Sequence, residues 1–366
     1  MRIFQNIHLY PEHVAIINAK VGRNASFKQR IETLIKHGLN GPHLLLPVVD
    51  GSSNAFLTTT ADPLTQRQWA VENDLPPHTR PHDVLVAQLK AYKPDVFYTH
   101  GSGYFPEQVR QQLPSLCKMN VCWKGPPDFS SGLAGFNLLV NNFPASLPKY
   151  EEIASIKTGY LTPSFDTAME PDCFKTERDV DILFAGSYSR HHRRRSEIIS
   201  ELGKLANTYN LKYCLHFDKI TRVANSPMGL LPVISKYRAP KDVRQNSSSP
   251  VFGADMYREF SRAKIVVNCA IDVAGNERGN IRCFEAMGCG ALLISDEGNY
   301  PPGMKDGVNM LTYTTPQNLI DVIRRILANE PERQRLASEG LKLARSTYGK
   351  QAVWDNFKNL VATASR

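Results

Sequence analysis

Along the 366 residues, short apolar runs alternate with segments of helical period. Arg2–Ile7 predicts a first strand, and Ser26–His37 predicts a helix ending near Gly38. Leu44–Val49 is another short apolar run. Asp50–Thr79 is polar and turn-rich with little periodicity, and it predicts a long surface excursion. His82–Tyr92 and Pro106–Leu113 predict helices around a strand at Val96–Thr99. Asn120–Trp123, Phe136–Val140 and Thr158–Leu161 complete this half as strands. Thr162–Arg178 has no period and carries two prolines, so it reads as a linker.

The pattern then restarts. Strands are expected at Val180–Ala185, Tyr213–Phe217, Ile265–Ala270, Ala291–Ser295 and Leu311–Tyr313. Helices are expected at Arg194–Tyr209, Asp255–Arg262, Asn280–Gly288, Pro316–Ala328, Pro331–Thr347 and Lys350–Ala364. Ser226–Pro250 is irregular. Such alternation predicts an α/β chain of two Rossmann-like, doubly wound domains. The expected division is 1–170 and 171–349, with helix 350–366 packing back on the first domain. A cleft between the carboxyl edges of two such sheets is the expected ligand site.

Composition narrows the classes. The apolar runs fall far short of the ~20 residues that span a bilayer. The amino-terminal residues lack the ordered regions of a signal peptide, which predicts a cytoplasmic protein. Seven cysteines without a C-x-x-C pair argue against a disulfide framework and against a zinc knuckle. The net charge of +9 favours an anionic partner: a nucleotide diphosphate, a nucleic acid or a membrane surface. No aromatic-basic nucleic-acid motif accompanies it, so nucleic acid is the weaker candidate.

The stretch Ala263–Asp296 carries the most chemistry. It reads strand, glycine-rich loop, helix, glycine stop, strand. Glu277 falls in the loop and Glu285 about one turn into the helix, with Arg282 between them. Gly275, Gly279, Gly288 and Gly290 permit close backbone approach. A diphosphate at this helix start would meet free N–H groups and the positive dipole end. A carboxylate can accept hydrogen bonds from vicinal hydroxyls of a ribose or hexose, and an arginine can grip phosphate oxygens. The bland alternative is an ordinary crossover in which Arg282 pairs with one of the two acids.

Arg282-Cys283-Phe284-Glu285-Ala286-Met287-Gly288-Cys289-Gly290-Ala291 resembles the C-terminal domain of GT-B-type glycosyltransferases, most closely the CgeB-like group and more loosely the family-4 enzymes with an E-x7-E element. Asp181–Ser187, Tyr257–Asn268 and Gly307–Leu311 add to the resemblance, which covers roughly residues 180–345. It implies a GT-B fold and sugar transfer from a nucleoside diphosphate sugar to an acceptor hydroxyl, metal-independent and retaining. It implies that Glu285 holds the ribose, Glu277 the donor sugar, and the backbone of Gly279, Asn280 and Ile281 the diphosphate. Gly186 and Ser187 would form the turn of the nucleotide domain. Family-4 enzymes place an arginine and a lysine after this turn. The run Arg190–Arg195 lacks the lysine and leaves Arg190, Arg193 or Arg194 for the role. No cofactor beyond the donor is implied.

Other candidates stand apart. His100, in a His-Gly-Ser-Gly loop, is a candidate base for an acceptor hydroxyl, since an imidazole titrates near neutrality. An active base there would point to inversion. Arg23 and Ser102 are candidates for the acceptor side, and Trp123-Lys124-Gly125 a weaker one; Asn24 or Ser26 as a helix cap explains the first loop equally well. Asp179 and Asp181 form a D-x-D pair, read as a solvated strand edge and not as a metal site. The competing functions are a nucleotide-sugar epimerase on the same fold and a non-enzymatic two-domain ligand-binding protein. The acceptor (saccharide, lipid-linked glycan, protein or small molecule) is left open, with membrane contact peripheral at most.

Overall fold

The computed structural model describes residues 1–101, 105–125, 132–171, 177–189, 192–271 and 274–366. The chain divides into two units, Met1–Ala168 with Tyr348–Arg366, and Met169–Thr347.

The N-terminal unit runs β1 (Ile3–Asn6), α1 (Pro11–Val21), α2 (Phe27–Lys36), α3 (Leu46–Val49), β2 (Ala55–Thr58), α4 (Pro63–Glu72), α5 (Pro81–Tyr92), β3 (Val96–His100), α6 (Glu107–Leu116), β4 (Met119–Trp123), β5 (Leu138–Asn141), α7 (Leu147–Ala154) and β6 (Lys157–Tyr160). Its six strands are all parallel, in the order β2-β1-β3-β4-β5-β6. Chain direction across the sheet reverses between β1 and β3, the switch point where an open α/β sheet leaves a crevice.

The C-terminal unit runs β7 (Val180–Tyr188), α8 (Arg193–Gly203), β8 (Leu211–Phe217), α9 (Lys219–Asn225), α10 (Pro232–Ser235), α11 (Lys241–Gln245), β9 (Ser247–Ser248), α12 (Ala254–Arg262), β10 (Ala263–Val267), α13 (Ile281–Gly288), β11 (Leu292–Asp296), β12 (Leu311–Tyr313), α14 (Pro316–Leu327) and α15 (Glu330–Ser346). Its parallel order is β12-β11-β10-β7-β8-β9, with the switch point between β7 and β10. The strands are apolar because helices cover both faces. On one face Ile182, Phe184, Ile265, Val267, Leu292 and Ile294 pack against Ile198, Ile199 and Leu202 of α8 and Leu319 and Ile323 of α14.

The last helix, α16 (Lys350–Ala364), belongs to the N-terminal unit. Val353, Phe357 and Val361 recur at four-residue spacing and bury against Tyr98, Val121, Leu138 and Val140 of the sheet. At the start of α16 the buried Lys350 Nζ donates to the carbonyls of Gly41 and Leu44, each at 2.7 Å, and to Ser164 Oγ at 2.8 Å. Burial lowers its pKa to about 8.

One expectation is corrected. Residues 50–79 are not a surface excursion: they hold β2 and α4. Helix α4 escapes a periodicity reading because it buries Thr65 and Gln66 beside Trp69 and Ala70. The apolar run Leu44–Val49 ends in the short helix α3. Helices α1 and α7 carry no strong stripe and were not expected.

Candidate functional site

The C-terminal switch point gathers charge. Strand β11 ends at Asp296, which is 1% exposed. Its Oδ1 accepts from the N–H of Ala270, just beyond β10, at 2.9 Å. Arg278 Nε lies 2.8 Å from Oδ2, an ion pair held by charge rather than by an aligned hydrogen bond. Arg194 Nη2, on half-exposed α8, lies 3.6 Å from the same oxygen. Arg195 reaches across to β7 and β10, donating to Ser187 Oγ at 3.2 Å and to the Cys269 carbonyl at 2.8 Å. Three guanidiniums therefore gather at the carboxyl ends of β7, β10 and β11, two of them on one buried carboxylate. Arginine does not shed its proton on burial, so this ground carries a positive excess.

Helix α13 is pinned to the same edge. Asn280, its N-cap, exchanges amide hydrogen bonds with Asn268, at 2.9 and 3.0 Å, and Asn268 Nδ2 also donates to Ser295 Oγ at 2.9 Å. The Asn280 side chain is thus spent on the strands and caps no helix N–H. The N–H groups of Ile281 and Arg282 have no hydrogen-bond partner among the described residues. Gly279 is buried beside them.

The two acids differ. Glu285 is buried and accepts from Arg282 Nη1 at 2.7 Å. The Arg282 guanidinium lies 5.5 Å from the Phe260 ring centroid and contacts the Met256 sulfur, so it faces α12. In this state Arg282 is committed to Glu285. Glu277, half-buried, sits where the coil bridges Asn299, and its carboxylate has no partner among the described residues. Gly186 and Ser187 occupy the end of β7. Arg190 lies outside the described residues. Sequence reasoning missed Arg278, Arg195 and Asp296: Arg278 stands between the two acids as Arg282 does, but only packing shows which arginine turns to the sheet edge.

The D-x-D pair lies at the opposite, amino end of β7. Asp179 accepts from Arg262, which lowers its pKa, and Asp181 Oδ1 accepts from Lys264 Nζ at 2.7 Å. Asp179 ties the start of β7 to α12, and Asp181 ties β7 to β10.

The N-terminal switch point is built differently. His100 ends β3. Its ring centroid lies 4.3 Å from that of His43 and 5.9 Å from that of Trp123. His100 Nδ1 is buried without a hydrogen-bond partner. The expected near-neutral titration is corrected: burial, helped by nearby His8, lowers the His100 pKa to about 3. Burial also pushes His43 well below its usual value and lowers His8. Arg23 is exposed in the loop before α2, whose cap is Ser26 with Gln29 as a capping box, not Asn24. The buried Arg30 shapes that loop. It donates to the Gly22 carbonyl at 3.1 Å, to Asn18 Oδ1 at 2.7 Å and to Asp62 Oδ2 at 2.6 Å. Ser102 lies outside the described residues.

Residues 217–358, less than half of the chain, match a family model described as glycosyl transferase-like. Among solved structures, HepE of Anabaena in complex with UDP and glucose is 12% identical, with 99% of this chain and 100% of that chain covered and a TM-score of 0.59. Sucrose-phosphate synthase of Thermosynechococcus elongatus is 13% identical, with 99% of each chain covered and a TM-score of 0.56. The fold is GT-B. On it, residues 217–358 are similar to glycosyl transferase-like domains. The chain spans 61% of the matched chain of the GtfA/B complex, 11% identical, where the TM-score is 0.46. Comparison with curated proteins gave no match.

Proposed function

We propose that this protein transfers a sugar from a nucleoside diphosphate sugar to an acceptor hydroxyl. The observation that carries the reading is the C-terminal switch point, where Arg194, Arg195 and Arg278 meet two open N–H groups of α13. That combination suits a pyrophosphate, a dianion that needs both fixed positive charge and directed donors. HepE, on the same fold, is described in complex with UDP-glucose, which supports a nucleotide sugar as the donor.

The roles follow from the geometry and the E-x7-E resemblance. Glu285, buried and oriented by Arg282, accepts from the ribose hydroxyls. Glu277, with its carboxylate uncommitted, accepts from the donor sugar. Charge that develops on the departing diphosphate is met by arginines and helix N–H groups, so transfer proceeds without a metal. Each such donor is worth about 3 kcal/mol in a transition state. The N-terminal unit supplies the acceptor site, through its own switch point and the Gly22–Asn24 loop.

The state of His100 supports one stereochemical reading. A base with a pKa of about 3 takes a proton from a hydroxyl poorly. This favours retention at the anomeric carbon, for which no separate protein base is needed. The test is a thermal-shift screen of UDP-, GDP-, dTDP- and CMP-sugars followed by product stereochemistry by NMR. Stabilisation by one donor class and a product of unchanged anomeric configuration are expected. No stabilisation by any nucleotide sugar overturns the donor reading, and an inverted product overturns retention alone.

A further inference from the structure

Eight large apolar side chains are exposed among the described residues, and three of them, Val223, Leu231 and Val233, lie within one short stretch of the C-terminal unit. Leu231 is 54% and Val233 78% exposed. With exposed Pro232 between them they form a continuous apolar tip. The tip belongs to a lobe made of α9, a 3-10 turn at Pro227–Leu230, and α10, which pack on one another, and α9 also rests on β8. The lobe is pinched at its base: Ala239 N–H donates to Asn225 Oδ1 at 3.0 Å. Arg244 Nε holds the Ala239 carbonyl at 3.1 Å.

The charged residues of this lobe are of one sign. Residues 219–241 contain Lys219, Arg222, Lys236, Arg238 and Lys241 and no aspartate or glutamate. The four lysine and arginine side chains at 219, 222, 236 and 241 are exposed. Lys219, Arg222 and Val223 share one face of α9 through their three- and four-residue spacing, while Thr221 and Ala224 bury on the other. The nearest acids in sequence are Asp218, which caps α9 through the Thr221 N–H, and Asp242, half-buried in α11.

We propose that this lobe docks the protein on an anionic lipid surface, with Leu231, Pro232 and Val233 entering the headgroup boundary and the lobe's lysines and arginines meeting lipid phosphates. An apolar tip on a lobe whose charges are all cationic is complementary to such a surface. An apolar protein groove would leave the cations unanswered. The inference stands independently of the donor chemistry.

The test is sedimentation of the full chain with vesicles of phosphatidylcholine alone and of phosphatidylcholine mixed with phosphatidylglycerol. The protein sediments with the mixed vesicles only, and salt releases it, since screening shortens to a few ångströms at high ionic strength. Leu231→Ser with Val233→Ser weakens partitioning at least about tenfold. Lys219→Gln with Arg222→Gln, Lys236→Gln and Lys241→Gln weakens it about fivefold per cation. All of these side chains are exposed, so thermal midpoints stay unchanged and report that the variants fold. Failure of the wild-type chain to sediment with anionic vesicles overturns the proposal, as does sedimentation of both variants at wild-type level. Self-association of the wild-type chain in sedimentation velocity, abolished by Leu231→Ser with Val233→Ser and without vesicle binding, would assign the tip to a second copy instead.

Discussion

The two switch points answer the same topological problem with opposite electrostatics. In the C-terminal unit the carboxyl edge gathers arginines, which keep their charge and are anchored by the buried Asp296. In the N-terminal unit the equivalent edge gathers His8, His43 and His100, and desolvation disfavours their charged forms. The difference lies in the side chains. An imidazole can lose its proton to avoid the cost of desolvation, whereas a guanidinium cannot and must be paired. The sequence spreads a net charge of +9 along the chain, but folding concentrates cations at one edge and neutral aromatic rings at the other. The first edge is the one proposed above for the pyrophosphate, the second the one proposed for the acceptor.

The comparison can be broken first through stability. Arg278→Met removes the closer of the two cations on the buried Asp296 carboxylate, leaving it Arg194 at 3.6 Å and the Ala270 N–H, and should cost about 3 kcal/mol by denaturant unfolding. A cost below about 1 kcal/mol would mean that Asp296 is not anchored as described. Next comes Glu285→Ala, expected to weaken donor binding about a hundredfold, or about 2.7 kcal/mol, by calorimetry. An unchanged dissociation constant would remove Glu285 from the site.

The mildest effect is a pH dependence. The folded pKa of His100 lies near 3, below the unfolded value of 6.5. Between these values the unfolded chain binds more protons, so stability falls as pH drops below about 6.5. His100→Phe should flatten that slope by one proton's share, the remainder coming from His8, His13 and His43, whose values are also lowered. An unchanged slope would place a charged, solvated imidazole at the end of β3.

The fold was legible where burial follows a period. Strands β7, β8, β10, β11 and β12 and the helices α12, α14 and α15 announce themselves through their apolar runs and stripes, whereas β9, Ser247–Ser248, falls in the stretch read as irregular. Helix α4 did not, because Gln66 and Thr65 are buried through hydrogen bonds and ion-pair contacts that leave no apolar pattern: Gln66 donates to Thr58 Oγ1 and to the Thr59 carbonyl, at 2.7 and 2.9 Å. At the site, Glu277, Glu285 and α13 stand together in one strand-loop-helix segment and were readable as a unit. The tie of Arg195 to Cys269 joins residues 74 positions apart, and spacing carries no trace of it. The near-neutral expectation for His100 failed for the same reason, since its burial depends on His43 and Trp123, distant in sequence.

The most direct test is a calorimetric titration of the nucleoside diphosphate identified by the donor screen. It compares the wild-type chain, Arg194→Met with Arg195→Met, and His100→Phe. The account predicts a loss of about a hundredfold or more in affinity for the double variant, on the scale of two charge-assisted contacts, and a change of less than about twofold for His100→Phe. Wild-type affinity in the arginine variant, with binding lost in His100→Phe, would place the nucleotide on the other unit and contradict the account.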